Sequence, residues 1–479
     1  VGRNPIWVCT LTFMLGAVTS WQPLTAQTED EPVGWRTDGS GKYSDAAPSA
    51  HWTDMHNQVW ASPMPESGNA TPILVKDRIF LCAEPDTIAA VDCFTGDILW
   101  QHANDYTVVV GESQWGDIEN SLEGQKKLVD QFNQLTGQFF NLRMAQQMKP
   151  SEKTMQQMAA LEEQIDEVRV KLGPNFKYSK PPAHSDLGYT SPTPASDGKH
   201  VYVLFGTGIV ACYDLDGNRK WIKLVQRPDS PHGQTASPII VDGKLIVHIN
   251  EVIALDLQSG AELWRAESEQ RFGTPVAAKI GDQSVIFTPS GDAISGQNGK
   301  IVSRGLGNTT FSTPIIHDNL LMYIDTTATA LQLPSHGGDQ IEPKRLWTVE
   351  LPKDRYCSSP VYHRGVVYAV TQAGQLTSID AQSGEIIHQE KLKVGGRVSP
   401  SITVGGKWLY VGDESGKMLV LDPSGGKPKL VTENLLEPHR ASPVFSRDRM
   451  YLRGLKTLYC VGGDWTPPAP GETRLSPAF

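Results

Sequence analysis

What this sequence lacks narrows its chemistry early. Past the first two dozen residues no apolar run approaches the roughly 20 residues that a membrane-crossing helix needs. It has only 6 cysteines in 479 residues, none in a CxxC pair or a CxxCH haem-attachment site, so it is neither a disulfide scaffold nor a c-type haem protein. Positive charge is in deficit, with 43 Lys and Arg against 53 Asp and Glu and a formal net charge of -10, which argues against a nucleic-acid partner. No HExxH, GxSxG or Walker-type loop occurs, and the histidines, among them His184, His232, His248, His317 and His363, are scattered without metal-ligand spacing.

Glycine and proline are abundant instead, 44 and 33 residues, as in a chain of short elements joined by many turns. The first apolar stretch, Ile6 to Val18 after Arg3 and before Leu24-Thr25-Ala26, reads as a secretory signal peptide over 1–26. It implies an exported protein of the periplasm or extracellular space. Cys9 lies inside that stretch and is not placed to accept a lipid, and the remaining cysteines read as buried free thiols.

An internal repeat organises the rest. Ser/Thr-Pro dipeptides at Thr71-Pro72, Ser191-Pro192, Ser237-Pro238, Thr274-Pro275, Thr313-Pro314, Ser359-Pro360, Ser399-Pro400 and Ser442-Pro443 recur with a period of about 42 residues. After each come two apolar alternations, a third ending in Asp, then Gly and often Trp. The spacing predicts four short antiparallel strands per unit. The turn before the fourth strand is built from Asp92, Gly96 and Trp100, from Asp256, Gly260 and Trp264, and from Asp380 and Gly384, with Trp221 and Trp347 in the same outer slot. The Asp bonds back to turn amides and the Gly takes a positive φ, so these residues read as structural rather than catalytic. Asn57-Gln58-Val59-Trp60 matches an isolated fourth strand, and the last unit lacks one. Pairing the two closes a ring. The expectation is an all-β fold: an eight-bladed β-propeller of four-stranded antiparallel blades over 57–463, closed by strand 57–60, with a lead-in segment 27–56 and a Pro-rich tail 464–479.

Between the first and second units the composition turns to Gln, Lys, Glu, Met and Leu. Three-four spacing through Ile118, Leu122, Val129, Phe132, Phe139 and Leu142, then Met158, Leu161, Ile165, Val168 and Leu172, predicts an inserted α-helical hairpin, a short coiled-coil insertion over 116–173 that turns at Lys149-Pro150-Ser151. It is long enough to project from the ring or to lid one face.

These repeats resemble the PQQ-type, quinoprotein-like β-propeller family, whose tryptophan docking motif Ala-x-Asp-x-x-x-Gly-x-x-x-Trp stands at Ala90 to Trp100 and Ala254 to Trp264. Trp35-Arg36 and Asp38-Gly39-Ser40-Gly41 resemble the segment that leads into secreted members. The family includes quinone-dependent alcohol dehydrogenases and also non-catalytic members such as the propeller lipoprotein of the outer-membrane barrel assembly machine. The resemblance implies PQQ and calcium only for the catalytic alternative, an oxidoreductase acting on an alcohol or sugar. The adjacent cysteines of those enzymes are absent. The residues three before each repeat proline, Asn69, Tyr189, Thr235, Phe272, Phe311, Cys357, Arg397 and Arg440, include no carboxylate. With Arg271, Arg355 and His439 nearby, Tyr189, Arg397 and Arg440 suggest instead a basic mouth for an anionic ligand or acidic peptide. The functional expectation is a monomeric, exported, non-catalytic scaffold for a protein or cell-envelope partner, with no catalytic residues, cofactor or metal.

Overall fold

The structure, a computed structural model, describes residues 32–463 apart from Asp54. The expected leader, Cys9 and the tail 464–479 lie outside the described residues. Eight sheets, each built on four antiparallel strands, follow one another along the chain, as the repeat requires. Blade 3 is representative: Ile239–Val241, Lys244–His248, Val252–Asp256 and Glu262–Ala266. Counted from the first, the blades span 73–103, 195–224, 239–266, 276–303, 315–350, 361–391, 403–435 and 444–462. The eighth takes its fourth strand, Gln58–Pro63, from the N-terminal side, with Trp60 opposite Cys460. Each blade is apolar on both faces of its middle strands, so its core lies between blades. One cluster, for example, joins Phe80, Cys82 and Ile88 of blade 1 to Val201, Val203 and Tyr213 of blade 2.

The docking motif explains how blades lock. An indole from one blade lies flat on the turn glycine of the next: Trp60 on Gly96, Trp100 on Gly217, Trp221 on Gly260, Trp264 on Gly299 and Trp347 on Gly384. A Cβ on Gly260 would stand 2.7 Å from Trp221, and the φ of +64° is itself a glycine conformation. Where the indole reaches a carbonyl it donates to it, as from Trp221 to Leu257 O at 2.9 Å and from Trp347 to Ala381 O at 2.9 Å. The turn aspartates accept backbone N–H groups: Asp92 from Phe94 and Thr95, Asp256 from Ser259, Asp380 from Gln382 and Ser383.

A belt of hydroxyl groups lines the ring. In seven of the eight blades the backbone N–H of the belt residue donates to the hydroxyl of its counterpart one blade on: Thr193 to Ser237, Ser237 to Thr274, Thr274 to Thr313, Thr313 to Ser359, Ser359 to Ser401, Ser401 to Ser442 and Ser442 to Thr71, all at 2.9–3.1 Å. The Ser/Thr-Pro repeat is therefore an inter-blade hydrogen bond with a proline that needs no donor. In two blades the belt corrects the repeat register. Thr193 and Ser401, not Ser191 and Ser399, hold the belt position. Both blades read Ser-Pro-Ser/Thr, and only the bond across the blade seam selects the second hydroxyl. Tyr189 and Arg397 consequently stand two residues further from their strands than the repeat suggests.

The lead-in segment crosses the ring. Val33 pairs with Ser196 of blade 2, the Trp35 indole donates to Thr313 of blade 5, and the buried Arg36 guanidinium donates to Pro360 O and Ile402 O at 2.7 and 2.8 Å. Lys42–Tyr43 then adds a fifth, parallel strand to blade 7.

The insertion comprises α1 (Tyr106–Val110), α2 (Glu112–Gly124), α3 (Lys126–Met148) and α4 (Glu152–Leu172). Helical structure begins ten residues before the expected start, and the first long helix is broken at Gln125. Ser151 caps α4 by accepting from the Thr154 N–H. The seam buries Phe132, Leu135, Ile165, Val168 and Leu172 against Phe176. Rather than projecting freely, the hairpin lies on the loops after blades 2 and 3: Asn133 accepts from Arg227 (2.9 Å), Arg169 pairs with Asp229 (2.9 Å), and Phe140 meets His232 and Phe272.

Candidate functional site

Connections between blades and the turns between second and third strands share one face of the ring, and there the candidate residues gather. Arg397, in the loop before blade 7, and Arg440, before blade 8, do come together, but around two carboxylates. Arg397 Nη2 lies 2.7 Å from Asp186 and 2.6 Å from Glu414. Arg440 lies 3.1 Å from Asp186 and 3.4 Å from Glu414, and it also donates to Asp186 O at 2.6 Å. Asp186 belongs to the loop leading into blade 2, so this cluster ties that loop to blades 7 and 8 across the mouth. Asn69 holds the same loop by donating to Asp186 O and Leu187 O. The hydrogen bond from Arg397, backed by the Arg440 charge, holds the Asp186 carboxyl below the usual carboxylate range.

The other candidates do not join this cluster. Arg271 is buried and pairs with Glu269 at 2.8 Å, which also meets Arg143 of α3 at 3.2 Å. Arg355 stacks over the Phe311 ring, which is itself stacked on Phe272 with centroids 5.2 Å apart. His439 is fully buried, its Nδ1 3.2 Å from Glu437 O, and burial lowers its pKa. Tyr189 donates its hydroxyl to Pro181 O, while its backbone N–H and that of Thr190 donate to the Glu84 carboxylate at 2.9–3.0 Å. The mouth is thus a charge-balanced network with an aromatic arc of Phe140, His232, Phe272 and Phe311 beside it.

Sequence reasoning missed the acids. Glu84, Asp325, Asp413 and Glu414 sit in turns between second and third strands, where a repeat alignment anchored on the inner strands does not look. Glu84 and Asp413 clamp loop amides, the latter by accepting from Gly395 at 2.6 Å. Asp186 follows the insertion and has no counterpart in any repeat, so nothing in the sequence flagged it. Burial pushes the Cys93, Cys212, Cys357 and Cys460 thiols up to about 12, so none is poised as a nucleophile. Among the described residues no group of three or more His, Cys, Asp or Glu converges as a metal site, and no helix is long and apolar enough to cross a membrane.

Eight four-stranded blades, indole docking and a ring closed by an N-terminal strand define a PQQ-type β-propeller repeat protein. Within that class the similarities point to one kind of relative. A family model described as outer membrane protein assembly factor BamB matches residues 179–285 and 339–465. BamB of Yersinia pestis is 24% identical over 253 residues, 52% of this chain and 55% of the relative. BamB of Salmonella typhimurium is 36% identical over 87 residues, 18% of this chain and 21% of the relative. The matches thus span about half or less of these relatives' length. Among solved structures, BamB from Moraxella catarrhalis superposes with a TM-score of 0.53 at 12% identity, covering 85% of this chain and 99% of that one. A europium-containing methanol dehydrogenase gives 0.54 at 12%, covering 88% and 89%. These two likenesses establish the fold.

Proposed function

We propose that this protein is an exported, non-catalytic propeller that serves a protein partner of the cell envelope, in the manner of an outer membrane protein assembly factor. The observation that carries this reading is how the mouth spends its charges. Glu84, Asp325 and Asp413 are taken up by loop amides, and Asp186 and Glu414 are each held by both Arg397 and Arg440. A calcium ion would have to displace two guanidinium groups from them. Phe272 and Phe311 stack on each other rather than flanking a slot for a planar quinone. The residues present do not fit PQQ with calcium. Meanwhile Leu99, Leu263, Leu430 and Leu435 stand exposed on outer strands, whose free edges are open to a partner. The similarity to BamB chooses the class of partner.

Two measurements test this. In cells deleted for the gene, the amount of folded outer-membrane barrels is expected to fall about twofold or more, and a photo-cross-linker placed at Leu263 or Leu435 is expected to join the protein to the barrel-assembly complex. Calorimetric titration with PQQ and calcium is expected to show no saturable heat, and a dye-linked alcohol assay no turnover. Unchanged barrel levels, or saturable PQQ binding with turnover, would overturn the reading.

A further inference from the structure

On the opposite face of the ring the blade seams differ from one another, and one of them is open. At the seam of blades 1 and 2, Arg78 at the start of the second strand reaches across to Asp216 in the last turn of blade 2, at 2.8 Å, and also donates to Leu215 O. The Trp100 indole fills the space beneath by lying on Gly217. At the seam of blades 6 and 7 all these parts are changed. Val366 stands where Arg78 stands, each two residues beyond a positive-φ turn residue, Arg364 or Lys76. Ser424 stands where Asp216 stands, two residues beyond the turn aspartate. His388 holds the strand register of the indole, opposite Ser378 as Trp264 is opposite Ala254, and the smaller Ile387 covers Gly426.

The result is a cleft of about 640 Å³, within the usual range of small-molecule sites. Its lining is uneven in charge. Arg364 from the first turn of blade 6 and Lys407 from that of blade 7 face the single carboxylate of Asp422, while burial keeps the adjacent His363 toward its neutral form. That carboxylate already accepts from the Ser424 N–H and hydroxyl, at 3.0 and 2.6 Å. In blade 3 the charged first-turn residue finds an opposite charge, Asp242 meeting Lys279 of blade 4 at 2.7 Å. Among the described residues Arg364 and Lys407 form no salt bridge, and Lys407 Nζ rests instead 4.5 Å from the Trp408 ring centre. Trp408 and Tyr368 give the cleft an aromatic wall.

We propose that this seam cleft binds a small organic anion, a phosphate or carboxylate carried on a flat apolar ring, with Arg364 and Lys407 meeting the charge and Trp408 the ring. An exposed guanidinium and an exposed ammonium that form no salt bridge, with only the already hydrogen-bonded Asp422 near Lys407, supply charge-assisted bonds, and the missing indole and Arg–Asp pair supply the room. The site lies away from the Asp186 mouth and does not depend on what that face does.

Phenyl phosphate is the probe, titrated into the full chain and followed by ligand-observed NMR. Saturable one-site binding is expected, with a dissociation constant on the order of 100 µM, and at least tenfold weaker binding of inorganic phosphate and of phenol. Replacing Arg364 and Lys407 together by Ala is expected to weaken binding about tenfold or more. Ser424→Asp, which returns the carboxylate that blade 2 carries at this seam, is expected to do the same while leaving the melting temperature at the parent value. No saturation up to about 10 mM phenyl phosphate, binding retained in both variants, or inorganic phosphate binding as tightly as phenyl phosphate would each overturn the proposal.

Discussion

Single residues in this ring are governed by what burial does to a polar group. His248 is fully buried in the second strand of blade 3, its Nε2 3.3 Å from Ser268 O, and burial pushes its pKa down to about 4. An unfolded histidine titrates near 6.5, so between about pH 6.5 and 4 the unfolded chain binds the extra proton and stability falls as pH falls. Above that window the buried neutral ring carries no penalty. His248→Gln keeps a donor for Ser268 O and removes the titration. Urea unfolding at pH 7 and pH 4.5 is expected to show the parent losing about 2–3 kcal/mol more than the variant across that interval; equal losses would show that His248 is not held neutral. At this scale the sequence was only half legible. It placed Arg397 and Arg440 near each other, but of their partners Glu414 sits in a strand turn of blade 7 and Asp186 in a post-insertion loop, distant in sequence and brought close only by ring closure.

At the scale of elements, the positive-φ turn glycines divide into two kinds that one experiment separates. Gly260 needs its φ of +64° and also the absence of a Cβ, because Trp221 lies on it. Gly243 has a similar φ of +69° but open space where a Cβ would go. Gly243→Ala is expected to cost about 1 kcal/mol, the left-handed penalty alone, whereas Gly260→Ala must also push the indole away and is expected to cost about 3 kcal/mol or more. Thermal melts of the two variants decide it, and equal shifts would remove the indole from the account. Gly260 was visible in the repeat; the reason for its larger cost was not, since the tryptophan belongs to the neighbouring blade. The helical insertion shows the same division. Three-four spacing exposed the apolar stripe of Phe132, Ile165, Val168 and Leu172, because periodicity is a property of one element. That Phe140, Arg143 and Arg169 settle the hairpin onto two loops is a property of surfaces that meet only in the folded ring.

For the molecule as a whole, closure is the decisive event. Without Gln58–Pro63 the last strand of blade 8, Thr457–Gly462, would present an unpaired edge and Gly96 would lose the Trp60 indole. A chain beginning at Met64, which loses the bonds of the lead-in to blades 2, 5, 6 and 7 together with the closing strand, is expected to melt about 10 °C or more below the parent and to self-associate, as light scattering would report. An unchanged melt would mean that the hydroxyl belt, with its Ser442-to-Thr71 link, closes the ring without help. The sequence by itself determined the blade number, the strand order, the docking turns and the strand that closes the ring. These follow from local alternation, turn chemistry and a repeat that had to stack to bury its faces. Tertiary structure alone decided which hydroxyl of two enters the belt, how the lead-in threads from blade 2 to blade 7, which acids neutralise the mouth, and which seam stays open. Each of those depends on side chains from different blades meeting across a seam, and a repeat records what the blades share rather than where one of them departs.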